Sequence, residues 1–497
     1  MARLSLLLLL PLLICVTPLS AVPVARNMGI NYGQLGNNLP SPAHSIALVQ
    51  SLKAHRVKIY DANHTILSAL SHTNLQVSIM VPNNLIPNLS SDPSFAHRWI
   101  ASNLLPFYPQ TLIRYLLVGN EILSDPNGKD LWYGLVPAIR NIKKSLKSHN
   151  LLKIKVGTTL AMDALQISFP PSNASFRPDV AAPIIRPLLQ FLHRTKSFYF
   201  VDVYTYFAWA ASPAAISLDY ALLSPTNVTY TDPATGLAYT NLLDQMLDAV
   251  YFAMARLGFP LVRIAIAETG WPNAGDIDQI GANIHNAATY NRNLARKMAV
   301  RPPPGTPARP GRVFPTFIFS LFNENQKPGP GTERRWGLLY PNGTEVYEVD
   351  LTGRKPDDRY KPLPVPTNNE PYKGKIWCVA AWGKLNATAL GGAISYACGQ
   401  GNGTCDAIQP GKPCYRPDSV FSHASYAFNS YWQQFRGVGG TCYFDGLAEQ
   451  TTVDPRRPQL DQISLRVLTF FRNRANIVNR DVFVMDRASI PAKPIEE

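Results

Sequence analysis

"VRIAIAETGWPN", residues 262–273, decides the fold. The run from Val262 to Ala267 is mostly β-branched or small and apolar, the pattern of a strand buried in a parallel sheet. It then delivers a carboxylate, Glu268, followed by Thr269, Gly270, Trp271 and Pro272, which do not continue a strand comfortably. A buried strand that ends in an acid and a turn is the arrangement found where a barrel presents its chemistry, at the C-terminal strand ends.

Outward from this stretch the same alternation repeats. Strands are expected at residues 28–33, 56–61, 76–82, 113–121, 153–160, 198–207, 262–270 and 315–325, with helical periodicity between them, clearest at 130–147 and 240–257. Ser41-Pro42 and Ser94 read as helix starts. Strand–helix alternation argues for a parallel sheet, and eight such units in about 325 residues argue for an α/β fold of the closed (β/α)₈ TIM barrel kind. An open doubly wound sheet is the alternative. It would ordinarily carry a Gly-rich phosphate turn after its first strand, and "NYGQLGNNLP" lacks the G-x-G-x-x-G spacing.

Three expected strands end in glutamate: Glu121 closes "YLLVGNE", Glu268 closes the seventh and Glu324 closes the eighth in "SLFNEN". Asp61 closes the second and reads as a turn cap. A single strand-end glutamate is usually a salt-bridge partner. Two on opposed strands suit glycoside hydrolysis, which needs one carboxyl that holds a proton and one that is ionised, roughly 5–5.5 Å apart in a retaining enzyme. Asn120 could donate its amide to a sugar hydroxyl or the nucleophile. Tyr32, Tyr204, Tyr206, Phe207, Trp271, Phe322 and Trp336 fall on the same rim and would offer ring faces to the C–H faces of a sugar, though core packing is the ordinary role of each. The histidines have no metal-ligand spacing, no G-x-S-x-G elbow occurs and the large domain has no cysteine nucleophile, so no metal and no cofactor are expected.

The chain has 497 residues, room for a barrel and a further module. Arg3, an apolar run from Leu6 to Val16 and small residues Ser20 and Ala21 have the layout of a signal peptide over residues 1–21. Export to the cell exterior or wall, with the vacuole as an alternative, is therefore expected. Seven Asn-x-Ser/Thr sequons, at Asn63, Asn88, Asn173, Asn227, Asn342, Asn386 and Asn402, agree with it. Cys378, Cys398, Cys405, Cys414 and Cys442 cluster near the C-terminus, as in a small disulfide-stapled module. The net charge of +14 fits retention on anionic polysaccharide. Export and the lack of a basic, aromatic-interleaved stripe argue against a nucleic-acid partner.

"MGINYGQLGNNLPSP", "LLVGNEIL", "AIAETGWPNAG" and "FSLFNENQKPGPGTERRWGLLYPNGT" resemble plant endo-1,3-β-glucanases of glycoside hydrolase family 17, over residues 28–353. The resemblance implies a (β/α)₈ barrel and retaining hydrolysis of internal 1,3-β-glucosidic links, with Glu121 as proton donor and Glu268 as nucleophile. It further implies a charged cluster of Glu324, Lys327 and Glu333 near the cleft. The chain departs from the family at "YTYFAW", where Thr205 stands in place of a usual proline. That puts the shape of the subsites, rather than catalysis, in question.

Residues 376–455 resemble an X8-type carbohydrate-binding module of family 43, a small helical disulfide-bonded domain that binds 1,3-β-glucan. The family pattern implies bridges Cys378–Cys442 and Cys398–Cys405, and leaves Cys414 without the partner that family members carry shortly after "TTVDP". Residues 354–375, with "KPLPVPTNNEP", suit a semi-rigid extended linker. Residues 456–497 form an atypical basic tail, expected to be poorly ordered, without the signals of a lipid anchor. The chain is expected to act as a monomer on 1,3-β-glucan. The alternatives are a non-catalytic wall or plasmodesmal glucan-binding protein and an enzyme for mixed 1,3;1,4-β-glucan.

Overall fold

A computed structural model describes residues 27–227, 229–383 and 386–455. The expected signal peptide and basic tail lie outside the described residues. Two compact units are present, one running from the N-terminal side to Lys373 and one starting at Gly374.

The first unit is a closed parallel barrel of eight strands: β1 (Met28–Tyr32), β2 (Arg56–Ile59), β3 (Gln76–Val81), β4 (Leu112–Asn120), β5 (Lys155–Ala161), β6 (Phe198–Asp202), β7 (Arg263–Thr269) and β8 (Thr316–Ile318). Each pairs with its sequence neighbour, and β8 closes on β1 through Met28–Thr316, Gly29–Phe317 and Ile30–Ile318. Crossover helices include α1 (Pro42–Ser51), α2 (His64–Ala69), α3 (Pro93–Asn103), α4 (Lys129–Ser148), α5 (Arg186–Thr195), α6 (Thr205–Ala211), α7 (Leu242–Arg256) and α8 (Ile284–Ala299).

Alternation along the strands sorts side chains into two layers. Met80, Tyr115, Leu117, Phe200, Ala265, Ala267 and Phe317 fill the barrel interior. Val57, Ile79, Leu116, Val118, Val201, Ile264, Ile266 and Ile318 join the larger cluster between strands and helices. Lys58, wholly buried, stands between Val57 and Ile59 and so faces inward.

Helix starts follow local chemistry. Ser41 caps α1 by accepting from the His44 N–H, with Pro42 in the first turn. At α3 the cap is Asp92, which accepts from the Ser94 N–H at 2.8 Å, so the helix starts just before Ser94.

Two expected strands, the sixth and the eighth, stop well short of the reading, while the others differ from it by one or two residues at an end. The sixth stops at Asp202, and residues 205–211 are helix α6. The aromatic, β-branched run has strand propensity, but Tyr206 and Trp209 are buried three apart on one helical face while Phe207 is exposed. Thr205 Oγ1 donates to the Ala221 carbonyl at 2.8 Å and ties this turn down. The eighth keeps only Thr316–Ile318, after which Phe322 bridges to Leu339 instead of the barrel.

Residues 354–375 read as a semi-rigid extended linker, and several residues of its N-terminal part hold to α8 and its cap. Arg296 pairs with both Asp357 carboxylate oxygens at 2.6 and 2.7 Å, and the Arg292 guanidinium sits 3.8 Å over the Tyr360 ring. Asn283 Nδ2 donates to Oδ1 of Asn368 and of Asn369 at 2.8 and 2.9 Å. Composition registers the prolines and lysines of this segment and misses the partners on a distant helix.

The second unit pairs β9 (Trp377–Ala380) antiparallel with β10 (Ala448–Thr451) beside α9 (Ala387–Cys398) and α10 (Val420–Phe435). Its small core includes Leu390, Ala397, Ala424, Ala427, Phe428 and Trp432. Cys378–Cys442 and Cys398–Cys405 are bonded, and Cys414 is a free, exposed thiol.

Candidate active site

Strict alternation would aim Glu268 outward, because Ala267 faces the barrel interior. A register shift corrects this. Ile266 pairs with Val201 but Glu268 pairs with Asp202, so one extra residue is inserted in β7 and Glu268 turns to the inward side shared by Asp202. The bulge displaces the Ala267 carbonyl from the ladder, and Asn31 Nδ2 donates to it at 3.1 Å. β4 shifts likewise between Leu117 and Asn120. Gly119 and Glu121 then take φ of +76° and +46°. For Glu121 that left-handed conformation costs about 1–3 kcal/mol, and the surroundings hold it. Asn83 accepts from the Asn120 N–H at 2.7 Å and donates to the Asn120 carbonyl at 2.9 Å, while the Glu121 N–H donates to the Thr159 carbonyl at 3.0 Å.

The two carboxylates line one groove of about 1330 Å³ at the C-terminal ends of the strands, together with Asn120, Asp202, Tyr204, Phe207, Glu324, Lys327, Glu333 and Trp336. Their surroundings differ. Lys58 Nζ donates to Glu268 Oε1 at 2.7 Å, Tyr60 Oη to the same oxygen at 2.5 Å, and Tyr204 Oη to Oε2 at 2.7 Å. Burial pushes the Glu268 pKa up, but the Lys58 ammonium and these donors outweigh it and leave the carboxyl below its ordinary value. Glu121 makes no ion pair among the described residues, and Lys58 lowers its pKa only through space. Burial first, and then the Glu268 charge, push it up to about 7.

Asn120 is oriented by Thr159, whose Oγ1 lies 2.7 Å from the Asn120 Oδ1, so the amide nitrogen is left to donate. Glu324 is buried beneath the N-terminal loop and accepts from the Leu35 N–H at 2.8 Å. Burial raises its pKa. Gly33 makes room for it: a Cβ there would stand 2.3 Å from Glu324 Oε2. Lys327 pairs with Glu333 at 3.1 Å and places its ammonium 4.3 Å over the Phe319 ring.

The aromatics divide. Phe207, Tyr204 and Trp336 line the groove; the rings of Tyr204 and Phe207 stand 5.0 and 5.7 Å from Trp336. Trp336 keeps an indole N–H without a partner among the described residues. Trp271, expected to face a sugar, is instead wholly buried, its Nε1 donating to the Gly281 carbonyl at 2.8 Å among Tyr206, Trp209 and Tyr290. Tyr32 and Phe322 are likewise core, ring against ring at 6.1 Å. A strand-end aromatic faces either the mouth or the helical layer, and the turn that follows decides which.

Lys58, Tyr60, Asn83 and Asp202 were not anticipated. A signal for the first two exists: in "RVKIYD" a lysine and a tyrosine alternate with Val57 and Ile59, which puts a cation inside a barrel strand. Of the seven sequon asparagines, six are exposed. Asn63 is half-buried, accepting from the N–H groups of Thr65 and Ile66 and donating Nδ2 to Gln34 Oε1 at 3.2 Å.

Comparison with known sequences matches residues 28–351 to Glycosyl hydrolases family 17 and residues 376–449 to the X8 domain. The chain is 56% identical over 432 residues to the protein called "Probable glucan endo-1,3-beta-glucosidase A6" of Arabidopsis thaliana, covering 87% of this chain and 90% of that one. It is 35% identical over 429 residues to "Glucan endo-1,3-beta-D-glucosidase" of Olea europaea, covering 86% and 91%. Among solved structures, the β-1,3-glucanase and pollen allergen CJP38 of Cryptomeria japonica superposes with a TM-score of 0.62 at 40% identity, over 65% of this chain and 99% of that one. One of two plant β-glucan endohydrolases described as having distinct substrate specificities superposes at 0.59 and 35% identity, over 65% and 99%.

Proposed function

The chain belongs to glycosyl hydrolases family 17, and on that premise we propose that it is an exported, retaining endo-hydrolase of 1,3-β-glucan in which Glu268 is the nucleophile and Glu121 the acid/base. The observation that carries the assignment of roles is the electrostatic split between two carboxyls in one groove. Glu268 is held ionised by Lys58, Tyr60 and Tyr204, and Glu121 is kept protonated by burial and by the Glu268 charge.

Glu268 attacks the anomeric carbon. Glu121 gives its proton to the leaving glycosidic oxygen, and a glucosyl ester forms on Glu268. Glu121, now a carboxylate, takes a proton from water as the water attacks that ester, and both groups return to their starting states. One negative charge faces Lys58 throughout, first on Glu268 and then on Glu121. Phe207, Tyr204 and Trp336 offer apolar faces and edges to the sugar rings, and Asn120 offers an amide donor.

The X8 domain would keep the catalyst on insoluble glucan through effective concentration. The sequons and the apolar N-terminal run support export to the cell wall or extracellular space. Glycan mapping of the secreted protein tests this: occupancy is expected at exposed sequons and not at Asn63, whose amide is already engaged.

The deciding experiment is Glu268→Gln on laminarin. Hydrolysis is expected to vanish with the fold intact; undiminished turnover removes Glu268 from the mechanism. NMR of first-formed products should show the β-anomer. Comparison of laminarin, callose and mixed 1,3;1,4-glucan tests the linkage preference.

A further inference from the structure

Asp202 has no task in the mechanism above, yet it closes β6 inside the groove. It is 2% exposed, and no N–H or O–H of the described residues donates to either of its oxygens. Its carboxyl lines the same groove as that of Glu121 and interacts with it, and its backbone pairs with Glu268 on one side and Ala161 on the other.

Two carboxylates in one groove repel, and a bare buried carboxylate is costly. The interaction between two carboxyls becomes a bond only when a proton lies between them. The charged and titratable groups facing Asp202 are Glu121 from β4, Glu268 from β7, Lys58 and Tyr60 from β2, Tyr199 from its own strand, and Tyr204 just beyond it. Lys58 is the cation among them and is bonded to Glu268. Burial first, and then the Glu268 charge, outweigh the opposing pull of Lys58 and push the Asp202 carboxyl well above the ordinary carboxylate range, toward its neutral form.

We propose that Asp202 is a positioning residue for the general acid: a neutral carboxylic acid that donates its O–H to Glu121, fixing the orientation of that carboxyl and stabilising the carboxylate left when Glu121 protonates the leaving oxygen. This rests on the acid/base role assigned to Glu121. In the first step the proton that moves is the one on Glu121; Asp202 keeps its own proton and strengthens its hydrogen bond as Glu121 becomes charged. In the second step Glu121 recovers a proton from water and that bond relaxes. Donation to the charged form makes Glu121 a stronger acid than burial alone would allow.

The test is the pH dependence of kcat/KM on laminarin for the full chain and for Asp202→Asn and Asp202→Leu. Leucine has the same shape and no donor. It is expected to move the alkaline limb up by about one pH unit and to lower kcat/KM by about 10- to 100-fold, the worth of one hydrogen bond to a charged group. Asparagine keeps a donor and should leave the limb in place with a smaller fall. A limb unmoved in Asp202→Leu, whatever the loss of rate or Tm, overturns the proposal, as does a limb that moves in Asp202→Asn. Should the leucine variant not fold, Asp202→Ala replaces it, and the asparagine limb decides if neither folds. Failure of the parent assignment reads differently. If Glu121→Ala hydrolyses laminarin like the unmodified chain, Glu121 is not the acid. If Glu121→Ala loses laminarin hydrolysis, azide restores turnover of an activated aryl 1,3-β-glucoside, and Asp202→Leu leaves the limb alone, only the role of Asp202 falls.

Discussion

Lys58 shows how one side chain sets the chemistry of another. Its stem is sealed in the barrel, and its ammonium reaches the strand ends 2.7 Å from Glu268 and 4.2 Å from the Tyr60 ring centre. Removing one member of a buried pair leaves the other uncompensated, at about 3–5 kcal/mol. Lys58→Met is therefore expected to lower the unfolding free energy by that order in a denaturant titration. Without the ammonium the Glu268 pKa rises, so the acid limb of the activity profile should move to higher pH. On the acid/base role proposed for Glu121, the alkaline limb belongs to that residue. As pH rises through about 7 it loses the proton that the leaving oxygen needs, so kcat/KM should fall there, and Glu121→Gln should lower laminarin turnover by about 10²–10⁴-fold.

At the scale of elements, the site depends on two strands that break their own period. β4 and β7 each shift register just before the carboxylate. The backbone groups released are taken by side chains, Asn83 at Asn120 and Asn31 at Ala267. Asn83 supports the turn that holds Glu121 at positive φ, making two hydrogen bonds to one peptide neighbour. Asn83→Ala should cost about 1–3 kcal/mol in stability and, if Glu121 acts as proposed, lower kcat more than it raises KM, because it lets Glu121 drift without touching the sugar subsites. Steady-state kinetics beside thermal unfolding separates the two effects.

For the whole molecule, a large barrel with a continuous core carries the chemistry, and a small module carries two bridges. The Cys378–Cys442 bridge closes a span of 64 residues around a short apolar list. Losing such a bridge from a small domain costs roughly 2–5 kcal/mol. The double change Cys378→Ser, Cys442→Ser should weaken retention on insoluble 1,3-β-glucan in a sedimentation assay while soluble laminarin is still hydrolysed. Cys414→Ser, which breaks no bond, should leave both readings as they are.

By itself the sequence determined the eight-stranded barrel, because strand and helix periods recur in order, and the two glutamates, because each stands where a buried run stops. It also carried the bridges of the module through family resemblance. Tertiary structure alone decided which aromatics meet the groove: Trp271 and Tyr32 sit at strand ends like Tyr204, yet their neighbours turn them into the core. It alone brought Lys58, Tyr60 and Asp202 to the carboxylates: the local pattern of "RVKIYD" sets the face of the first two but not the partner across the barrel. Periodicity is a property of neighbours in the chain, whereas the direction of a bulged strand end and the charge beside an acid are fixed by neighbours in space.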